Sequence, residues 1–271
     1  MGNNRKRLLF AAIWITAAIG LFSGCAGGTE PAFEPVLSPT LAPTPEATAE
    51  PTLPPASEPT AEPTPEPTPE PTPEPTPAGP EIPAQSEPLP EDYYADAAFI
   101  GNSVVDGLQL FDYEGVLDGA RFFAGTSLTV FDISGYVEEV SAGDYGKVYI
   151  GLGVNEIGYD KDDLRAVFVH TVRALRAADP DRIVCLMSVT PVSRIKSENS
   201  NLFTKDNVLA FNEMLREIAR DEGAWYLDVY AALADEEGYL PAEVTSDGVH
   251  FSSAYYERWY ELFKTNYVLE E

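Results

Sequence analysis

The sequence predicts an α/β fold in which helices cover both faces of a parallel sheet. Two features of residues 93–271 indicate it: five short apolar runs, and the amphipathic stretches that separate them. Regular alternation of such runs with helix-like segments is typical of a parallel sheet whose strands are buried on both faces. The runs are residues 97–100, 121–124, 148–152, 183–189 and 225–229.

Three amphipathic segments, residues 162–178, 208–220 and 253–268, predict the clearest helices. In the first two, apolar residues recur every three or four positions and form one face. In the third, aromatic residues recur every four positions, which we interpret as core packing and not as a ligand-binding stripe. The inward residues are Leu164, Phe168, Val172 and Leu175, then Val208, Phe211, Leu215 and Ile218, then Tyr255, Trp259 and Phe263. Strands and helices together predict a flavodoxin-like three-layer α/β/α sandwich with a central five-stranded parallel sheet.

The composition excludes several classes of protein. The 271 residues contain 17 Lys and Arg against 44 Asp and Glu, and residues 93–271 carry 14 against 31. This acidic excess argues against a nucleic-acid partner, because phosphates are neutralised by Lys and Arg. Cys25 and Cys185 are the only cysteines, and His170 and His250 are the only histidines. These are too few for a disulfide scaffold or a cysteine-based zinc site.

Residues 26–92 differ from the rest of the chain and predict a disordered linker. They hold 21 of the 24 prolines, 13 acidic residues and no Lys or Arg. The repeat PTPEPTPEPTPEPTP at residues 63–77 favours the extended polyproline II conformation, and regular Glu charges add self-repulsion. A proline-rich ligand of SH3-type domains is the alternative, but the regular acidic repeat fits a spacer better.

Residues 1–25 have the pattern of a secretory signal segment. Three basic residues at positions 5–7 precede an apolar run from Leu8 to about Phe22, and small residues follow. The run is short for a membrane-spanning helix, although an uncleaved anchor is the alternative. The ending, LFSGC, resembles a bacterial lipobox, with Phe22 in place of the usual Leu, and the resemblance implies lipidation of Cys25. We therefore expect an exported protein, lipid-anchored to the outer face of a bacterial cytoplasmic membrane at the cell surface.

Three turns at the ends of predicted strands carry candidate functional groups. Reacting groups gather at the carboxyl ends of parallel strands, so these turns are where chemistry is expected. Ser103 follows the first run in a Gly-Asn-Ser turn, Gly125 follows the second, and Asn155 follows the third. Taken alone, each has a simpler explanation, as a helix cap, a turn glycine and a turn asparagine.

A fourth element changes this interpretation. Asp247 precedes His250 by three residues, just before the last predicted helix. A carboxylate at this spacing can hold an imidazole in one tautomer and stabilise the imidazolium that forms when it takes a proton from a hydroxyl. The other histidine, His170, lies on the polar face of the helix at 162–178, and we interpret it as a surface residue.

Together and in this order, the four turns resemble the SGNH (GDSL-type) hydrolase family over essentially all of residues 98–263. The resemblance implies that Ser103 is the nucleophile and that Asp247 and His250 complete a catalytic triad. It implies an oxyanion hole made of the Ser103 and Gly125 backbone N–H groups and the Asn155 side-chain amide. It implies neither a metal nor an organic cofactor.

Two residues depart from the family pattern. Asn102 stands where the family has the Asp of Gly-Asp-Ser, and Glu156 stands where it has the Asp of Gly-x-Asn-Asp. Neither replaces a group that attacks, accepts a proton or stabilises an oxyanion. Asn102 cannot accept hydrogen bonds as a carboxylate does, so the support of the nucleophile turn is the weaker point.

These observations predict a monomeric serine esterase that hydrolyses carboxyl esters with a small acyl group. No long lipid-binding insertion is apparent, and surface tethering suggests O-acetyl groups of extracellular carbohydrate as the substrate. Arg194, after the fourth run, could line the cleft, although a rim residue without a role is the better interpretation. Two alternatives stay open: a non-catalytic carbohydrate- or wall-binding module on the same fold, and an acyltransferase with the same Ser-His chemistry.

Overall fold

The structure, a computed structural model, describes residues 80–269. Within them, five strands form one sheet in the order β2-β1-β3-β4-β5, and all neighbours are parallel. This is the flavodoxin-like strand order, so the predicted sheet is confirmed. The strands are β1 Ala97–Gly101, β2 Arg121–Ala124, β3 Lys147–Gly151, β4 Ile183–Met187 and β5 Trp225–Leu227. The apolar runs extend past β3, β4 and β5 because Leu152, Val189 and Val229 are buried just beyond the strand ends.

Seven α-helices flank the sheet in the described part of the chain. They are α1 Ser103–Phe111, α2 Ser134–Ala142, α3 Lys161–Ala178, α4 Arg194–Glu198, α5 Lys205–Glu222, α6 Val229–Leu233 and α7 Glu257–Thr265. The helices predicted at 162–178 and 208–220 are confirmed as α3 and α5. The third predicted helix is shorter than 253–268, because a 3-10 turn at Ser253–Tyr256 precedes α7 and the helix stops at Thr265.

The side chains of the strands divide the core into two layers. Ala98 and Ile100 of β1 pack with the apolar faces of α2, α3 and α5 on one side of the sheet. Phe99 of the same strand packs with α1, α6 and α7 on the other side. Alternate residues of a strand face opposite ways, so both faces of the sheet are covered and the three-layer sandwich is confirmed.

Aromatic side chains of α7 fill one of these layers. Trp259 and Phe263 are fully buried, whereas Tyr255 is partly buried at the start of the stripe. The Tyr256 hydroxyl donates to the carbonyl of Val104 at 2.9 Å and so ties the 3-10 turn to α1. The interpretation of the stripe as core packing is confirmed.

Residues 80–92, which the composition assigns to the linker, lie against the head. The Tyr226 N–H donates to the Pro80 carbonyl at 2.7 Å, and the Ile82 N–H donates to the Tyr226 carbonyl at 2.9 Å. Asn266 donates to the Ile82 carbonyl at 3.1 Å, and Ile82 is buried. The free edge of β5 is thereby partly covered. The boundary predicted at residue 93 is corrected, because the head includes residues 80–92.

The remaining predictions for the N-terminal part, including the signal segment, the lipidation of Cys25 and most of the linker, lie outside the described residues. Within residues 80–269, no helix is both long enough and apolar enough to cross a membrane.

Candidate active site

Ser103 stands at the turn between β1 and α1, at the carboxyl edge of the sheet. Asn102 caps the helix, since its Oδ1 accepts the N–H of Val104 at 3.0 Å. This bond needs only one acceptor oxygen, which an amide supplies as well as a carboxylate. Gly101 is required for close packing, because a Cβ there would lie 2.4 Å from the Cβ of Val105. Asn102 therefore caps α1 at the position where the Gly-Asp-Ser pattern has Asp.

Ser103, His250 and Asp247 form a connected chain of hydrogen bonds. Ser103 Oγ lies 2.8 Å from His250 Nε2, and His250 Nδ1 lies 2.7 Å from Asp247 Oδ2. With the ring proton on Nδ1, that nitrogen donates to the carboxylate, and Nε2 accepts the hydroxyl proton of Ser103. This is the geometry that a nucleophile, a general base and its orienting carboxylate need.

The loop that carries His250 is shaped by Asp247 and Gly248. Asp247 Oδ1 accepts the N–H groups of Val249 at 2.9 Å and His250 at 2.8 Å. Gly248 has φ of +83°, a left-handed conformation that favours glycine, and its N–H donates to Thr245 Oγ1 at 2.9 Å. The sequence spacing of three residues therefore produces one compact turn that fixes the imidazole.

The pKa of Asp247 is lowered to about 2. Partial burial raises it, but the hydrogen bonds from the His250 ring and from two backbone N–H groups outweigh burial. Asp247 thus stays ionised throughout the neutral and mildly acidic range. The side chains of His250 and Asp247 are each 51% exposed, so this part of the site is open to solvent.

Two further predicted site residues lie on the loops beside the Ser103 turn. Asn155 donates one amide hydrogen to the Leu128 carbonyl at 3.0 Å and has a second hydrogen to offer. The Gly125 N–H donates to the Gly101 carbonyl at 3.2 Å, which continues the pairing of β1 with β2. An added Cβ at Gly125 would meet nothing within 4 Å, so this glycine borders open space. The roles of both residues as oxyanion donors stay a prediction.

Glu156 connects the loop after β2 with the turn after β3. Its side chain is fully buried, Oε1 accepts the Val130 N–H at 2.7 Å and Oε2 accepts the Gly153 N–H at 3.0 Å. Burial raises its pKa from 4.5 to about 7, although the backbone N–H groups that it accepts work in the opposite direction. In the sequence, Glu156 stands out only as a departure from the family pattern. Its partner Val130 is 26 residues away, and no local sequence pattern predicts this contact.

The other residues singled out from the sequence lie outside the triad. His170 is exposed on α3, and its interpretation as a surface residue is confirmed. Arg194 forms an ion pair with Glu237, and its guanidinium lies 4.4 Å from the centre of the Tyr239 ring. Arg194 is therefore occupied by its own neighbours at the rim of the molecule.

Comparison with known proteins identifies a family model that this chain matches. Residues 99–258, more than half of the chain, match the model of the GDSL-like lipase/acylhydrolase family. None of the curated proteins matches the sequence.

Solved structures of low sequence identity share the fold. A Streptococcus pneumoniae protein assigned as a platelet activating factor is 19% identical, with a TM-score of 0.53 over 62% of this chain and 82% of that one. A GDSL-like lipase from Bacteroides thetaiotaomicron is 18% identical, with a TM-score of 0.52 over 65% and 88%. An assigned acylhydrolase from Bacteroides fragilis is 20% identical, with a TM-score of 0.50 over 67% and 88%.

Proposed function

Because the chain belongs to the GDSL-like lipase/acylhydrolase family, we propose that it is a serine esterase that removes small acyl groups, above all acetyl, from extracellular carbohydrate. The observation that carries the proposal is the bonded chain from Ser103 through His250 to Asp247. Ser103 Oγ attacks the ester carbonyl while His250 Nε2 takes its proton. The protonated ring then passes that proton to the departing alcohol oxygen.

The second half of the reaction uses the same groups in reverse. Water gives a proton to His250 and attacks the acyl carbon on Ser103, and the released carboxylic acid leaves the serine hydroxyl restored. In both halves, negative charge on the carbonyl oxygen is stabilised by the Ser103 N–H and the free amide hydrogen of Asn155. The Gly125 N–H becomes a third donor when it shares or gives up its hydrogen bond to the Gly101 carbonyl.

A small cavity under the nucleophile turn supports the proposed size of the acyl group, although Ser103 itself does not line it. A cavity of about 20 Å³ touches Asn102 and Val104, the residues on either side of Ser103. Its other walls include Val154, Val189 and Thr190, which are all buried. This volume accommodates a group of the size of one water molecule or one methyl. We infer that the methyl of an acetyl group enters this cavity, where a longer chain would require buried side chains to move.

The test compares 4-nitrophenyl acetate, butyrate and octanoate as substrates of the full chain. We expect acetate to be turned over at least tenfold faster than octanoate, and Ser103→Ala to leave only the background rate. A serine-directed phosphonate should label Ser103, as read from the modified peptide by mass spectrometry. A folded chain with neither turnover nor label would instead favour the non-catalytic binding module.

The acyltransferase alternative differs only in the acceptor of the acyl group. The half-exposed His250 and Asp247 leave room for an alcohol as well as for water. Adding a saccharide acceptor during turnover of 4-nitrophenyl acetate separates the two. For an esterase, the amount of free acetate should equal the amount of nitrophenol released. For an acyltransferase, part of the acetyl group should appear on the saccharide instead.

The proposed location rests on residues 1–25. We propose export and lipid anchoring through Cys25, with the proline-rich segment as a spacer and the chain as a monomer. Labelling cells with a fatty-acid analogue tests this, because Cys25→Ser should abolish the label without changing the esterase activity of the purified chain. Persisting label on Cys25→Ser would contradict the lipid anchor.

A further inference from the structure

A second cleft lies beside the catalytic histidine loop, between α4 and residues 242–248. Its volume is about 470 Å³, within the range of small-molecule sites. Its walls include Lys196, Asn199, Ser200 and Phe203 on one side, and Thr245 and Asp247 on the other. Asp247 is the one triad residue in its lining, since neither Ser103 nor His250 borders it.

The position of this cleft relates it to the leaving alcohol. One wall is Asp247, whose carboxylate is bonded to the His250 ring. His250 must deliver its proton to the alcohol oxygen, so the alcohol part of the ester leaves along the His250 side of the site. The proposed oxyanion donors Ser103, Gly125 and Asn155 follow β1, β2 and β3, whereas α4 follows β4.

The cleft is rich in hydrogen-bond donors. Ser200 Oγ already accepts the N–H groups of Leu202 and Phe203, and Ser193 Oγ accepts the N–H of Lys196. Both hydroxyls therefore keep their own hydrogen to donate. Such a surface suits a ligand with many acceptor oxygens.

Lys196 adds a positive charge to these donors. Its ammonium lies 4.7 Å from the centre of the Phe203 ring, and within residues 80–269 no carboxylate forms an ion pair with it. Lys147 and Lys264, in contrast, both pair with carboxylates. The Lys196 stem packs over Gly248, where a Cβ would lie 2.6 Å from the lysine Cβ. The base of the lysine side chain is thus held next to the catalytic loop, and its ammonium lies over Phe203 in the cleft.

We propose that this cleft binds the alcohol part of the ester and that Lys196 binds a carboxylate on it, which makes an O-acylated sugar acid the preferred substrate class. The inference rests on the proposed esterase function and adds the identity of the alcohol. A carboxylate on the ligand forms an ion pair with the ammonium of Lys196. The hydroxyl and ether oxygens of the sugar ring accept hydrogen bonds from the serine hydroxyls.

The experiment compares two substrates that differ in one group, O-acetylglucuronate and O-acetylglucose, with the full chain. We expect kcat/KM to be at least tenfold higher for the glucuronate ester, and this preference to fall about tenfold in Lys196→Gln, as is typical on loss of a charged hydrogen bond. Lys196→Arg should keep most of the preference. Lys161→Gln, at an exposed lysine outside the cleft, is the matched control and should keep all of it.

The outcomes separate this inference from the proposed function. Turnover of 4-nitrophenyl acetate without a preference for O-acetylglucuronate would overturn the cleft assignment and leave the esterase intact. Equal preference in wild type and Lys196→Gln would also overturn it. Absence of all turnover together with absence of phosphonate label on Ser103 would refute the esterase itself. Labelling of Ser103 in Lys196→Gln at the wild-type rate shows that the variant is folded.

Discussion

The buried carboxylate of Glu156 gives the sharpest test of how the loops around Ser103 are held. The substitution Glu156→Gln keeps the size and removes the charge. In the wild type, Oε1 of Glu156 accepts the Val130 N–H and Oε2 accepts the Gly153 N–H. A glutamine has one acceptor oxygen, and its NH2 group would face a second donor, so one of the two bonds is lost.

Two opposing effects set the change in stability. Loss of one hydrogen bond to a charged group costs about 1.5–3 kcal/mol. Removing the charge relieves a burial penalty, because the rise of the Glu156 pKa from 4.5 to about 7 corresponds to about 3 kcal/mol against the ionised form. The free energy of unfolding should therefore change by no more than about 2 kcal/mol at pH 8.

Activity should respond more strongly than stability. Asn155 adjoins Glu156 and bonds to Leu128 on the same loop as Val130, so release of this loop should displace Asn155, the proposed oxyanion donor. We expect kcat on 4-nitrophenyl acetate to fall about 10–100-fold with a smaller change in KM, because a displacement near 1 Å has an effect of this order. Wild-type kcat in Glu156→Gln would refute the reasoning. Glu156→Asp, which keeps the charge, should lose less.

The same group predicts how stability depends on pH. Because its pKa in the folded chain lies above the ordinary value, the native state holds the Glu156 proton more tightly than the unfolded state does. The free energy of unfolding should therefore decrease as pH rises from about 4.5 to about 7 and no longer change with this group above that range. Denaturant titrations at several pH values should show this slope in wild type and a weaker one in Glu156→Gln. Equal slopes would mean that Glu156 does not titrate in this range.

Three further substitutions have definite expected outcomes. Asn155→Ala should lower kcat about 10²–10³-fold with little effect on thermal stability, since it removes one oxyanion donor; a loss under threefold would exclude that role. Asp247→Asn should lower kcat about 10⁴-fold, because the amide cannot stabilise protonated His250; titration of activity against pH would reveal any other base. Gly107→Ala should cost about 1–3 kcal/mol in chemical denaturation, since its Cβ would lie 2.0 Å from the Tyr256 hydroxyl oxygen; an unchanged midpoint would show that α1 shifts freely.

Sequence patterns predict the parts of the fold that depend on local chemistry. The strands are short apolar runs, and the helices α3 and α5 bury one face each, so periodicity alone identifies them. Helix α2 was not predicted, because only Val137 and Val140 are buried and no side chain caps it. Its place in the sandwich depends on contacts with α3 that composition does not reveal.

In the candidate site, too, some residues could be predicted from the sequence and others could not. Ser103, Asp247 and His250 could be predicted because their turns, in this order, resemble the family pattern, and the structure brings them within hydrogen-bond distance. The contact of Glu156 with Val130 could not, since it depends on the register of two loops. The sequence alone does not single out Lys196, because its proposed role depends on α4 lying beside the loop of Asp247.

The pairing of residues 80–82 with β5 also fixes where Pro80 lies relative to the active site. Glu81 runs parallel to Tyr226, so Pro80 lies toward the amino end of β5, while Ser103 follows the carboxyl end of β1. Whatever precedes Pro80 is thus joined to the head at the pole opposite the reacting atoms. A large molecule can therefore approach Ser103 from the side of the head that faces away from Pro80.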